Sequence, residues 1–198
     1  MEWVLGIAIG IGLAAACGFR VFVPPLVLSV ATLAGHLHLA YGFQWIGTWP
    51  ALTAFAVATA LEIAGYYIPW VDNLLDTAAT PIAIVAGIVM TASCVTDISP
   101  FLKWTLAVIA GGGIAGLVQI LTVKTRALSS VFTGGFANWA VATTETVSST
   151  ALSVLVLIIP LLAILLLCIF LTTAMWWVTR RGKAEPTRPR DHEATHKG

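Results

Sequence analysis

Long apolar stretches separated by short polar links run from Trp3 to Val178. A membrane-spanning helix needs roughly 20 mainly apolar residues, and six stretches approach that length. Segment A runs from Trp3 to about Leu33, B from Pro50 to Tyr67, and C from Leu74 to about Val95. Segment D runs from Phe101 to Val123, E from Trp139 to about Ile158, and F from Pro160 to Val178. The pattern predicts an all-α, polytopic membrane helix bundle of about six spans over residues 1–179. Residues 180–198 are predicted to be a disordered basic tail, rich in Arg, Lys, Glu and Pro and nearly free of apolar residues. Segment A is long for one crossing, and Pro24-Pro25 is expected to kink or break it. Between E and F only Pro160 interrupts the apolar run. Five spans, with residues 138–150 as a polar re-entrant stretch, is therefore the alternative to the preferred six.

Composition agrees. Of 198 residues, 59% are hydrophobic and 10% charged, against about a quarter charged in a soluble domain. Mean hydropathy is +0.94. Charge this sparse does not wet a globular surface, so the lipid bilayer is the expected solvent. The eight tryptophans fall at proposed segment ends or in the links, where amphipathic rings favour the headgroup level. Ala14-Ala15-Ala16 before Cys17 resembles a signal-cleavage site. The acidic Glu2 and the lack of basic residues before it argue instead for a first membrane segment starting at Trp3.

The net charge of +1 offers no basic field for nucleic acid, and no nucleic-acid partner is expected. Arg180, Arg181, Lys183, Arg188, Arg190 and Lys197 crowd the tail, and Lys124 and Arg126 lie in the expected D–E link. Basic residues in short links mark the cytoplasmic side. Six crossings then place both termini in the cytoplasm. Gly10-Ile-Gly-Leu-Ala aligns with Gly111-Gly-Gly-Ile-Ala, and Ser29-Val-Ala-Thr with Ser130-Val-Phe-Thr. That weak repeat would make A and D the first members of two inverted three-helix halves with broken helices, an arrangement common among secondary transporters.

Three motifs are set aside. His192-Glu-Ala-Thr-His196 has the letters of a zinc-protease site but sits in the polar tail, without a stable helix or third ligand. Gly111 to Gly116 has the letters of a dinucleotide fingerprint, yet it lies in an apolar span with no strand before it. Gly6, Gly10, Gly112 and Gly116 are instead expected to permit close helix packing. His36 and His38 lie in a link and make no metal site alone. Cys17, Cys94 and Cys168 are read as small apolar fillers. No metal and no cofactor is expected.

The embedded ionisable residues carry the remaining chemistry. A charge at mid-helix costs about 2.5–3.5 kcal/mol on insertion scales, so such residues usually face a cavity or a partner. Arg20 lies within A, Glu62 within B and Glu145 within E; Asp72, Asn73 and Asp76 stand at the start of C. These six are the candidate substrate or ion pathway. Asp72 also suits an N-cap and Asp76 the positive end of C. Glu62, Asp76 and Glu145 are placed in one layer, with Arg20 deeper.

The stretches Ala16-Cys-Gly-Phe-Arg-Val-Phe-Val-Pro24, Val71-Asp-Asn-Leu-Leu-Asp-Thr-Ala-Ala-Thr-Pro81 and Gly111-Gly-Gly-Ile-Ala-Gly-Leu-Val-Gln119 resemble the signatures of domain-of-unknown-function family 4126. The resemblance covers nearly the whole chain before the tail. It implies a bacterial inner-membrane protein and supplies no substrate or catalytic residue. A small secondary transporter or translocase of an unknown small solute, ion or lipid is the first functional expectation. A non-transporting scaffold, using the glycine faces for helix docking and the basic tail for anionic lipid contact, is the second. An intramembrane lipid-acting enzyme ranks third, because no nucleophile–base pair or metal set stands at useful spacing. A thin bundle of short spans would favour a homodimer.

Overall fold

The computed structural model describes residues 2–133 and 138–181. Among them every regular element is a helix: α1 (Glu2–Cys17), α2 (Val23–Leu33), a short 3-10 turn (Gln44–Gly47), α3 (Trp49–Gly65), α4 (Pro69–Cys94), α5 (Pro100–Leu106), a π-turn (Ala107–Gly112), α6 (Gly113–Thr133), α7 (Asn138–Ile158) and α8 (Pro160–Arg181). Three stretches are long and apolar enough to cross a membrane: Thr77–Cys94, Pro100–Phe132 and Asn138–Ile158. Shorter apolar helices cover Trp3–Cys17, Val23–Leu33, Trp49–Gly65 and Pro160–Thr173. The outer surface carries many exposed Leu, Ile, Val and Phe side chains, as expected where hydrocarbon is the solvent. This is a membrane protein.

Proline sets several helix starts. Pro50, Pro69 and Pro100 stand in the first turns of α3, α4 and α5, where a missing N–H leaves no bond unmade. The N-cap of α4 is Ile68, so Asp72 lies inside the helix and does not cap it. Lys124 and Arg126 also fall inside a helix: α6 continues to Thr133 instead of ending at a D–E link. Residues 138–150 are regular helix within α7, part of a stretch long and apolar enough to cross a membrane.

Segment A is a helical hairpin, α1 and α2. A Cβ on Gly6 would lie 2.5 Å from the Cys94 carbonyl oxygen, and one on Gly10 would lie 2.8 Å from the Thr91 Cα. Helix α1 thus runs antiparallel to α4, with its N-terminal end at the C-terminal end of α4. After the break at Gly18 to Phe22, α2 returns to that same end. Ser29 Oγ donates to the Ile46 carbonyl (2.6 Å), and Ala40 N–H donates to the Ser93 carbonyl (2.8 Å). This is the Trp45 end of the bundle. The opposite, Trp139 end holds Tyr66, Tyr67 and the start of α7, with Tyr67 Oη 2.9 Å from Thr143 Oγ1. Helix α8 passes Phe19 at Phe170 and runs on toward the Trp139 end. Glu2 and Arg181 therefore lie at opposite ends.

Helix α1 is the centre of the packing. Leu13, Ala14, Ala15, Ala16 and Cys17 have no exposed surface, and α1 touches α4, α6, α7 and α8. Small residues make this possible, since a Cβ on Gly12 would collide with the Val156 side chain. Gly111, in the π-turn, would collide with Thr91 and Gly87 of α4 if it carried one. Gly112 and Gly116 meet only the side chains of Ile88 and Ile84. Segment D is thus one continuous rod with a π-turn, unlike the hairpin of A, and the short alignment between them is not matched by like structure.

In sealed vesicles a membrane-impermeant maleimide is expected to reach Trp3→Cys and Tyr41→Cys from one side and Tyr67→Cys from the other. Six full crossings would pair Trp3 with Tyr67 instead. Gly10→Leu is expected to destabilise the detergent-solubilised protein by about 1–3 kcal/mol or more, by overpacking against backbone. Gly113→Ala, whose added Cβ meets nothing within 4 Å on a helical backbone, is expected to keep or slightly raise the melting temperature.

Candidate functional site

A helix break inside hydrocarbon leaves backbone N–H and C=O groups without water, and each must find a partner. The tip of the α1–α2 hairpin meets this demand in several ways. The Ala16 carbonyl accepts from Phe19 N–H and Arg20 N–H, both at 3.1 Å, and from Ser149 Oγ at 2.9 Å. Pro24 and Pro25 bring no N–H to the first turn of α2. The N–H groups of Val21 and Phe22 donate to the two carboxylate oxygens of Glu62, at 2.8 and 3.0 Å. Glu62 thus caps the positive end of α2 from α3.

Arg20 projects from the same tip with 1% of its surface exposed. Its Nε donates to Thr146 Oγ1 at 3.0 Å and its Nη2 to the Ala142 carbonyl at 2.8 Å. Nη2 also lies 3.6 Å from a Glu145 carboxylate oxygen. On the far side of Glu145, Arg126 of α6 donates through Nε at 3.1 Å and through Nη2 to the second oxygen. This is the two-pronged pairing that guanidinium and carboxylate geometry allow. The Tyr66 ring joins the cluster, with the guanidinium carbons of Arg20 and Arg126 at 4.0 and 3.9 Å from its centroid, within cation–π range. Two arginines and two glutamates form one buried layer near the Trp139 end. Its formal charge sums to zero.

Three of the six proposed pathway residues, Arg20, Glu62 and Glu145, meet in this layer. Asp72, Asn73 and Asp76 stand in the first turns of α4, and their side chains lie outside the described residues. Gly6, Gly10, Gly112 and Gly116 stand away from the layer, against neighbouring helices. His36 and His38 are exposed, and no group of three metal-ligating side chains occurs among the described residues. His192 to His196 lie outside the described residues.

Sequence reading missed Arg126 and Tyr66. Arg126 had been assigned to a cytoplasmic link by its polar neighbours. The missed signal was spacing. Ala115, Val118, Thr122 and Arg126 recur every three or four residues, the stripe of a single helical face, and all four are buried. Two embedded glutamates also call for two cations, and Arg20 supplied one.

Two grooves flank the layer. One, of about 450 Å³, lies between α6, α7 and α8 with Glu145 on its wall. The other, of about 360 Å³, lies between α3, α4 and the hairpin tip, with Glu62 and Tyr66 on its wall. Their remaining walls are largely apolar.

The family model described as Domain of unknown function (DUF4126) matches residues 7–180, and the chain belongs to that family. No curated protein and no solved structure matches it.

Removing one partner of a buried ion pair costs about 3–5 kcal/mol, because the other charge is left uncompensated. Arg126→Gln and Glu145→Gln are each expected to lower the melting temperature in detergent. The double variant, in which Arg20 and Glu62 still balance, is expected to lie above either single one.

Proposed function

We propose that this family member is a small secondary transporter or translocase, and that the two-arginine, two-glutamate layer at the hairpin tip is its substrate and coupling site. The observation that carries the reading is the double hold of Glu62 on the backbone of Val21 and Phe22. An ionised carboxylate accepts both N–H groups; a protonated one has an O–H donor in place of one acceptor. Proton uptake at Glu62 thus weakens its grip on the tip, and the tip bears Arg20. A protonation event on α3 is in this way tied to movement of a cation on the hairpin. Broken helices that meet charged groups inside the bilayer are a recurrent design of transport sites.

Charge balance gives the coupling its direction. The layer is neutral as built, and an unbalanced charge in low dielectric is expensive. An anion that reaches Arg20 therefore enters together with a proton on Glu62 or Glu145. Arg126 and Tyr66 also face this layer, and the buried Cys17 thiol lies within reach of the Glu62 charge.

The scaffold reading drew on glycine faces and the basic tail; Gly6, Gly10, Gly112 and Gly116 are engaged inside the bundle, and the tail beyond Arg181 lies outside the described residues. The transport reading draws on residues that have converged. Basic residues mark the cytoplasmic side, and Lys124, Arg180 and Arg181 belong to the Trp139 end. In a bacterial inner membrane that end faces the cytoplasm. The hairpin then opens from the external side, with the N-terminal end of α1 outside, and α3 to α8 supply five crossings.

The test is proton movement into reconstituted vesicles holding a trapped pH dye, driven by added anionic solutes. Glu62→Gln and Arg20→Gln are each expected to slow it about tenfold or more, a barrier increase of about 1.4 kcal/mol. Movement at the full rate in a variant lacking Arg20, Glu62 and Glu145 together would remove the mechanism.

A further inference from the structure

The larger groove is graded along its length. On α7 it runs from Val141 to Leu155, about 21 Å at the helical rise of 1.5 Å per residue. That exceeds half of a hydrocarbon core about 30 Å thick. Its polar lining collects toward the Trp139 end: Glu145, Thr144 and Ser148 on α7, and Thr122 and Thr125 on α6. Farther in, Leu152 and Leu155 face Leu166 and Leu167 of α8 across apolar space. The groove is open on its flank, where Leu166, Phe170 and Ala151 are exposed to surroundings that are themselves hydrocarbon. Its polarity therefore runs like that of a lipid in one leaflet, with a polar head near the interface and a chain toward the midplane.

The head end also holds a spare donor. Arg20 has five N–H donors. Its Nε and Nη2 are engaged as described, whereas its buried Nη1 has no hydrogen-bond partner among the described residues. A buried donor left unpaired costs about 1–3 kcal/mol, more when charged. It calls for an acceptor oxygen from outside the chain. Phe19, beside Arg20, and Glu145, its ion partner, both line the groove, so the polar end of the groove reaches the residues next to Arg20, which is itself buried behind them.

We propose that the groove between α6, α7 and α8 holds one acyl chain of an anionic phospholipid, which enters sideways from the bilayer with its phosphate at the Arg20–Glu145–Arg126 layer. The phosphate supplies the acceptor that Nη1 lacks, and guanidinium is suited to bind it. The grading of the groove sets the lipid's direction, head toward the Trp139 end. The inference deepens the transport reading by naming what is carried, and it rests on that reading only in calling the lipid a substrate.

The test uses the full chain in nanodiscs of phosphatidylcholine with a small fraction of phosphatidylglycerol bearing a diazirine near the end of one acyl chain. Irradiation is expected to cross-link peptides holding Leu152, Leu155, Leu166 and Leu167. Phosphatidylcholine with the same diazirine is expected to label them about tenfold less, a preference of about 1.4 kcal/mol. Arg20→Gln is expected to abolish the preference for the anionic lipid. Ala151→Trp, on the rim and about 9 Å along α7 from Glu145, fills the groove without touching the charges and is expected to lower labelling to that of ordinary lipid-facing surface. It carries the test if Arg20→Gln unfolds the tip. Equal labelling by the two lipids, or labelling unchanged by Ala151→Trp, overturns the proposal, and so does preference for a diazirine fatty acid over the phospholipid. Labelling needs no turnover. Selective labelling with proton movement intact in the triple variant keeps the lipid site and removes the transport reading. Unselective labelling with proton movement that depends on Arg20 and Glu62 does the reverse.

Discussion

Everything near the Trp139 end depends on how Glu62 holds the backbone of Val21 and Phe22. A chain that turns back inside hydrocarbon exposes the end of one helix and the start of the next, and no water is there to satisfy them. Two prolines reduce the number of donors, Ser149 serves a carbonyl, and Glu62 takes two N–H groups. A carboxylate placed for that purpose brings a negative charge into the bundle, and charge there needs its counterpart. The arginines follow from the same constraint. Arg20 comes with the tip, and Arg126 arrives on α6 to balance Glu145. The ion layer and the helix break are one solution to one problem.

The class of fold and the larger helices were legible because lipid imposes them. Apolar length marked segments B, C, E and F to within a few residues at most ends, and Pro160 marked the turn into α8 although no polar loop accompanies it. Trp3, Trp45, Trp49, Trp104, Trp139 and Trp176, read as interfacial, are all exposed. The hairpin was half legible. Pro24-Pro25 announced a break, but a break does not say whether the chain continues or returns. Only the partners of Gly6, Ser29 and Ala40 decide that, and they are distant in sequence. Arg126 was hidden for the opposite reason. A short polar run with two basic residues has the same local composition in a loop and in a helix whose polar face is buried. Hydropathy averages over the helix circumference and loses the face.

The repeat and the glycines show how far a poor alphabet carries. Gly10 and Gly111 do share a task, the close approach of a helix to α4 around Thr91. They perform it in different settings, one in a helix of 16 residues that is followed by a turn back, the other in a π-turn within a continuous rod. Shared packing chemistry yields similar letters without similar architecture. Gly6 and Gly10 meet backbone, which cannot give way, whereas Gly112 and Gly116 meet the flexible ends of isoleucine side chains. The same four-residue spacing thus differs in how much depends on it, and the sequence pattern alone does not separate the two cases.

The choice of arginine at position 20 bears on what the layer is for. A lysine would neutralise Glu145 with a single compact charge and three donors. Arginine spreads its charge over a planar fork, so it can donate to Thr146, to the Ala142 carbonyl and toward Glu145 while resting against the Tyr66 ring. That arrangement holds the guanidinium through Nε and Nη2 and leaves Nη1 without a partner among the described residues. A purely structural pair gains nothing from a leftover donor, because an unpaired buried N–H lowers stability. An arginine held on a hairpin tip, balanced in charge yet incomplete in hydrogen bonding, is better suited to receiving an oxygen from outside. The backbone N–H groups that the Glu62 carboxylate grips, on Val21 and Phe22, lie one and two residues from the arginine whose donor lacks a partner, so occupying one bears mechanically on the other.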